Sequence, residues 1–395
     1  MTLKLNILHW PLWQRTPMGW LQLRKNKSRL LVAIAGIGFA DLLMFAQLGI
    51  QAALFESNTL LNASLKADII LRSAQYRDLS LANTFPRRRL FQIRDIPGVA
   101  SADAFYVEPV VWKNPQTRRK TQVTMVGIST ERSALTIPEV ESNLTAIRQA
   151  DTVLFDELSR GSYQEVIQAT RQGNPVTTEI DRRTVQVVGL FPLGASFATD
   201  GTVITSQDTF LRFFPQRSPG QVTLGLIHVA PGADPKAVVA QLQAVLPPDT
   251  IAATKADYVA FEQAYWAETT PIGVVFGFGT IMAFAVGTVI VFQILATDVA
   301  DHLPEYATFK AMGYRDRFLL ATVLEEAVVL AILGFIPGLA LALGQYALIR
   351  QVAALPIAMT GARLGFVFFL TLVMCSFSGY VATRKLQSAD PADIF

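Results

Sequence analysis

IGVVFGFGTIMAFAVGTVIVFQILAT, residues 272–297, is a run of 26 residues with no charged side chain. About 20 predominantly apolar residues are needed to cross a bilayer, so this run is long enough by itself. Three more stretches meet the same test. Leu30–Phe55 carries one charge, Asp41, Ala327–Ile349 carries none, and Leu364–Thr383 carries none. The third is entered from Phe318 through Glu325 and Glu326. These stretches predict four spans: TM1 (30–55), TM2 (272–297), TM3 (318–349) and TM4 (364–383). A cleavable leader would have only about 7–15 apolar residues. TM1 is longer and begins after Arg29, which predicts an uncleaved anchor.

The whole composition agrees. Of 395 residues, 51% are apolar and 16% charged, against about 25% charged in ordinary soluble domains. That hydrophobicity excludes a disordered chain. One cysteine, Cys375, excludes a disulfide scaffold. A net charge of +3 spread over the chain gives no case for nucleic acid.

Lys and Arg near the span ends set orientation. Ten of them, from Arg15 to Arg29, Lys310 to Arg317, and Arg384 with Lys385, lie on one set of flanks. Five lie on the other: Lys66, Arg72, Lys255, Arg350 and Arg363. Both termini and the TM2–TM3 loop are therefore expected in the cytoplasm of a bacterial inner membrane, with residues 56–270 outside. Trp10, Trp13 and Trp20 mark residues 1–29 as a cytoplasmic amphipathic segment lying on membrane lipid. Tyr265 and Trp266 stand just before TM2, where amphipathic rings favour the interface.

Residues 56–270 differ from the rest, with 43 charged residues in 215. They predict a soluble α/β domain inserted between TM1 and TM2. Alternating runs predict strands at 67–72, 103–112, 122–128, 184–190, 202–205 and 224–229. Periodic runs predict helices at 85–96, 156–170, 207–214, 235–246 and 255–266. Two β-α-β units, one at each end of the domain, predict a lobe built from both ends, with an outer lobe at roughly 140–220. The helix at 156 explains Asp156 and Glu157 as dipole-matched acids.

Catalytic chemistry finds no footing in that domain. It holds one histidine, His228, and no cysteine, so a Cys/His pair is excluded and a His-based metal site is not expected. The basic clusters Arg87–Arg89 and Arg118–Lys120 are either solvated faces or contacts for an acidic partner or lipid headgroup.

The short loop between TM2 and TM3, residues 298–317, reads as a small helix. Asp301 suits its cap, Pro304 its first turn and Gly313 its end. Leu303, Tyr306, Phe309 and Lys310 fall on one face at helical spacing. Aromatic side chains presented this way need a surface to press on, a partner protein or the bilayer.

Glu305-Tyr306-Ala307-Thr308-Phe309-Lys310-Ala311-Met312-Gly313-Tyr314 resembles the E-x-A/G-x-x-K-A-x-G signature of the FtsX/MacB-type ABC transporter permeases. The basic run Leu21–Arg29, the stretch from Glu326-Ala327 through Gly334 and Gly338, and the closing Asp390-Pro391-Ala392-Asp393-Ile394 resemble further parts of that pattern. The order of one span, a large outer domain and three spans is also similar. Ala35–Phe45 resembles the cyanobacterial DevC-type permeases, known from heterocyst glycolipid export.

The resemblance implies a MacB-like fold: four transmembrane helices with a large periplasmic α/β domain between the first two. It implies a coupling helix in which Leu303, Glu305, Tyr306, Phe309, Lys310, Met312 and Gly313 dock on a separate ABC ATPase subunit. No Gly-Lys pair occurs in the sequence, so no Walker A loop cradles a nucleotide here. The chain itself is then non-catalytic and without a cofactor, and ATP is bound by the partner. The implied assembly is a homodimer working with a periplasmic adaptor (membrane fusion protein) and a TolC-like outer-membrane channel. The implied motion is mechanical: ATP closes the ATPases, TM1 and TM2 move the outer domain, and an amphiphilic, glycolipid-like cargo is pushed outward. Two relatives of the same build remain open, a mechanotransmitter that regulates a periplasmic hydrolase and a lipoprotein-extracting permease.

Ionisable and polar side chains within spans are candidate functional groups. They are Asp41, Gln293, Glu325 and Glu326. Asp41 serves either as a proton relay or, as we favour, as a packing hydrogen bond to Gln293, Thr288 or a second copy. Glu325 and Glu326 are placed to reach water or to pair with Arg315 or Arg317.

Overall fold

The computed structural model describes residues 27–79, 83–305, 308, 312–313 and 316–387. Expectations for the N-terminal amphipathic segment, the C-terminal motif from Asp390 and several loop residues fall outside that range. The chain divides into two compact units. The first holds residues up to Ile50, Val275–Leu348 and the chain from Ala358, and the second holds Gln51–Val274 with Ile349–Ile357.

Helix α1 runs over Lys27–Ser64. Its 38 residues make about 57 Å at 1.5 Å per residue, nearly twice the roughly 30 Å hydrocarbon core. The apolar half spans, and the more polar remainder, from Gln51, is part of the outer unit. There Leu61 and Leu65 are buried with the domain's own side chains.

The outer unit continues with β1 (Ile69–Ser73), β2 (Phe85–Pro86), α2 (Arg88–Gln92), β3 (Val99–Lys113), β4 (Lys120–Ile128) and α3 (Pro138–Ser142). Next come β5 (Thr152–Asp156), α4 (Gln164–Arg171), β6 (Val176–Ile180), β7 (Arg183–Phe191), β8 (Thr202–Ser206) and α5 (Gln207–Phe213). It closes with β9 (Gln221–Val222), β10 (Leu224–Val229), α6 (Pro235–Val245), β11 (Thr250–Thr254) and α7 (Lys255–Ala264).

One sheet carries the order β11-β1-β10-β3-β4-β8-β5-β7-β6. Its first four strands interlock the two expected β-α-β units. β10 lies between β1 and β3, and β1 lies between β10 and β11. This is the split β-α-β arrangement, built from both ends of the domain. Alternation sorts the side chains: Ile69 and Leu71 enter one core, and Ile70 enters the other.

The long strand β3 serves both lobes. Val99–Phe105 pairs with β10, and Tyr106–Lys113 pairs with β4. Trp112 and Lys113 also pair with β6, which closes β3-β4-β8-β5-β7-β6 into a ring. Closure leaves fewer open edges. The second lobe therefore starts near residue 106 rather than 140. The expected helix at 85–96 is a short strand and one helical turn, and that at 156–170 begins only at Gln164. Asp156 ends β5 instead of opening a helix.

The membrane unit is completed by α8 (Pro271–Asp301), α9 (Asp316–Ala353) and α10 (Gly361–Gln387), and these with α1 are four helices long and apolar enough to cross a membrane. Ala33, Ile37, Ala40, Leu295, Leu330, Ala331 and Met374 form its core. Small residues set the approach of α1 to α9. A Cβ on Gly334 would stand 2.5 Å from Ile37, and one on Gly338 would stand 3.0 Å from the Gly38 carbonyl. Close helix contact through such residues replaces the hydrophobic drive that lipid does not supply. Pro337 sits between them inside α9, as membrane helices tolerate.

Candidate coupling site

At one end of the membrane unit three helices meet in a charged cluster. Arg29, in the first turn of α1, donates to Asp298 at 2.9 Å and also binds Asp301, both in the last turn of α8. Asp298 is buried, and Glu326 of α9, also buried, brings a second carboxyl against it with Arg29 facing both. The His302 ring lies 2.9 Å from the Asp298 carbonyl. Removing one partner of a buried ion pair typically costs about 3–5 kcal/mol, so Arg29 fixes where the loop after α8 begins. Asp301 was expected to cap a new helix; it ends α8 and holds Arg29 instead. Glu326, expected to reach water or to pair with Arg315 or Arg317, faces Asp298 and Arg29, and the side chains of Arg315 and Arg317 lie outside what is described.

Leu303 and Glu305 follow on a short helical stretch, Leu303 half-buried and Glu305 exposed. Met312 is exposed, its amide bonds the Thr308 carbonyl at 3.0 Å, and Gly313 has φ +91°. That left-handed value is what a glycine at the end of a helical turn supplies. Tyr306, Phe309 and Lys310 lie outside the described residues.

Deeper in the unit, Asp41 accepts from Thr371 of α10 at 2.6 Å. Gln293 was one expected partner of Asp41, but it is exposed on α8. Thr288 was another, but its hydroxyl bonds the Phe284 carbonyl at 2.8 Å. Glu325 is half-buried. Tyr346 of α9 donates to the Phe45 carbonyl of α1 at 2.6 Å, and Ser378 of α10 donates to Thr288 of α8 at 2.9 Å.

The outer unit has a buried polar node of its own that sequence reasoning missed. Tyr76 and Tyr258 hydroxyls meet at 2.6 Å, and both bond Glu262 Oε1, Tyr258 at 3.1 Å. Tyr258 also reaches Asn62 of α1 at 3.2 Å. The node thus ties the end of α1 to α7, the helix that leads through a π-helical turn (Tyr265–Thr269) toward α8. Burial pushes the Glu262 carboxyl up to about 7, against the pull of the tyrosine hydroxyls. Of the sequence's basic clusters, Arg89 is buried and paired with Asp249 at 2.7 Å, which makes it structural. His228 lies on β10 opposite Ser101, and burial lowers its pKa.

Residues 277–391 match the family described as FtsX-like permease C-terminal. Over that stretch the chain is similar to that family. The match runs from within α8 past α10 and includes the loop after Asp298 and the carboxyls that hold Arg29. No curated protein matches the chain. Among solved structures, the periplasmic region of MacB from Actinobacillus actinomycetemcomitans is 11% identical with a TM-score of 0.34, covering 50% of this chain and 93% of that one. The extracellular domain of the noncanonic ABC-type transporter YknZ from Gram-positive bacteria is 12% identical with a TM-score of 0.31, covering 47% and 98%. A domain of a putative permease protein from Porphyromonas gingivalis is 11% identical with a TM-score of 0.29, covering 48% and 86%.

Proposed function

We propose that this FtsX-like chain is the non-catalytic membrane subunit of an ATP-driven ABC exporter, and that its loop 298–317 receives the stroke of a separate ATPase. The observation that carries the reading is the family match across that loop. The Arg29–Asp298–Asp301 clamp supports it, because a force applied to the loop passes into α1 through fixed ion pairs rather than through slack chain. Leu303, Glu305, Tyr306, Phe309, Lys310, Met312 and Gly313 form the docking surface in this reading.

Both ends of the outer domain are continuous with membrane helices, α1 directly and α8 through the π-helical turn. Tilting those helices deforms a domain whose Tyr76–Tyr258–Glu262–Asn62 node joins the two points of entry. The chain works as a homodimer in the bacterial inner membrane, with both termini cytoplasmic and the outer domain periplasmic. It passes an amphiphilic cargo to a periplasmic adaptor and a TolC-like channel, and the DevC-like stretch Ala35–Phe45 favours a glycolipid. Co-purification of the full chain from its native membrane tests the class. Recovery of a periplasmic adaptor supports export. Recovery of a cell-wall hydrolase would instead make the chain a mechanotransmitter, and recovery of a lipoprotein would make it an extracting permease.

A further inference from the structure

Two loops of the second lobe are locked together and present apolar side chains to their surroundings. The buried Asp156 carboxylate, at the end of β5, accepts amides from Leu158 at 3.0 Å, Leu193 at 3.0 Å and Gly194 at 2.9 Å. Arg160 adds a second lock, donating to Asp200 at 3.1 Å and to the Ser196 carbonyl at 3.2 Å. On these fixed loops Leu158 is 54% and Phe197 53% exposed. Held by these two locks, the loops present both side chains at fixed positions.

The same arginine fixes their depth. Arg160 Nε donates to the carbonyl of Ala353 at 2.9 Å. Ala353 is the last residue of α9, whose apolar stretch Leu320–Ala353 is long enough to cross a membrane. The orphan carbonyls at a helix end need donors, and Arg160 supplies one to Ala353, which belongs to the same compact unit. A second marker agrees. Leu193, Ser196 and Ala198 line a cavity of about 130 Å³ together with Trp266. Trp266 precedes the start of α8 at Pro271, where aromatic rings favour the lipid–water boundary.

The geometry points to a membrane foot: Leu158 and Phe197 dip into the acyl–headgroup boundary of the outer leaflet, and Arg160 sets their level. The second lobe is thereby supported on lipid through these two side chains. Its partner is the lipid surface.

Single cysteines at Leu158→Cys, Phe197→Cys and Ala198→Cys, labelled with an environment-sensitive fluorophore, test this in the full chain. The host is a nanodisc of phosphatidylethanolamine and phosphatidylglycerol. The unsubstituted chain is the labelling blank, since Cys375 is buried. Phe91→Cys is the reference: Phe91 is 53% exposed and lines a groove with Ser129 and Thr130, beyond the end of β4 opposite the Gln122 carbonyl that receives the Asp200 amide. Acyl-chain nitroxide lipids should quench the three foot labels at least about threefold more than the reference, as for a side chain seated at the interface. Ala198→Cys removes no large apolar side chain, so its label reports position even if the others disturb packing. Equal quenching at foot and reference would overturn the foot. A blue-shifted label that lipid nitroxides do not reach would also overturn it, placing a second copy or another protein there.

Discussion

At the residue scale, Asp41, Tyr346 and Ser378 each bond a neighbouring helix inside the membrane unit. Asp41 accepts one hydroxyl, from Thr371, and Gly338 packs directly against its Cβ. Asp41→Asn keeps an acceptor there, so export should stay within about twofold of the parent, since one neutral hydrogen bond is worth about 1 kcal/mol. Loss of export in Asp41→Asn with normal folding would instead make Asp41 a proton relay. In the outer domain Glu262 titrates high because it is buried. The folded state then holds a proton that the unfolded chain has released, so its contribution is complete below about pH 4.5 and is lost as pH rises through about 7. Thermal unfolding of the detergent-solubilised chain should show stability falling by up to about 3 kcal/mol across that window, and Glu262→Gln should flatten this part of the profile. An unchanged slope in Glu262→Gln would remove the assignment.

At the element scale, the seam between α1 and α9 depends on having no side chain at Gly334 and Gly338. Gly338→Val forces atoms into the Gly38 backbone and should lower stability by about 1–3 kcal/mol, as overpacking does; a melting temperature equal to the parent's would contradict the close seam. Arg29→Ala should leave Asp298 and Glu326 facing each other without the guanidinium that faces both. Hydrogen exchange in the last turn of α8 should then rise sharply while the β-sheet amides stay protected. The spans were legible because apolar runs of this length have few other uses, and most strands were legible from their alternation. The ring closure was not. It depends on pairing the far end of β3 with β6, Val-Thr-Thr-Glu-Ile, whose β-branched residues favour a strand but do not say which strand it joins. β5 was hidden because Asp156 looked like a helix-capping acid, and only the fold brings the Leu193 and Gly194 amides to it.

At the scale of the whole molecule, the sequence motif after TM2 pointed to the coupling loop, but its anchor was not visible there. Arg29 and Asp298 are separated by 269 positions and meet only when α1 and α8 pack. The Thr371 partner of Asp41 and the Arg160 bond to Ala353 were hidden in the same way, since each joins residues far apart in the chain. The central claim is that loop 298–317 docks a separate ABC ATPase and passes its motion to α1 and α8. The most direct measurement is capture of that ATPase by the detergent-solubilised full chain, comparing the parent with Phe309→Asp and Tyr306→Asp and checking the outer domain by hydrogen exchange. The account predicts that the parent retains the ATPase and that each substitution releases it while the outer domain stays protected. Retention of the ATPase by both substituted chains, or no ATPase bound to the parent, would contradict it.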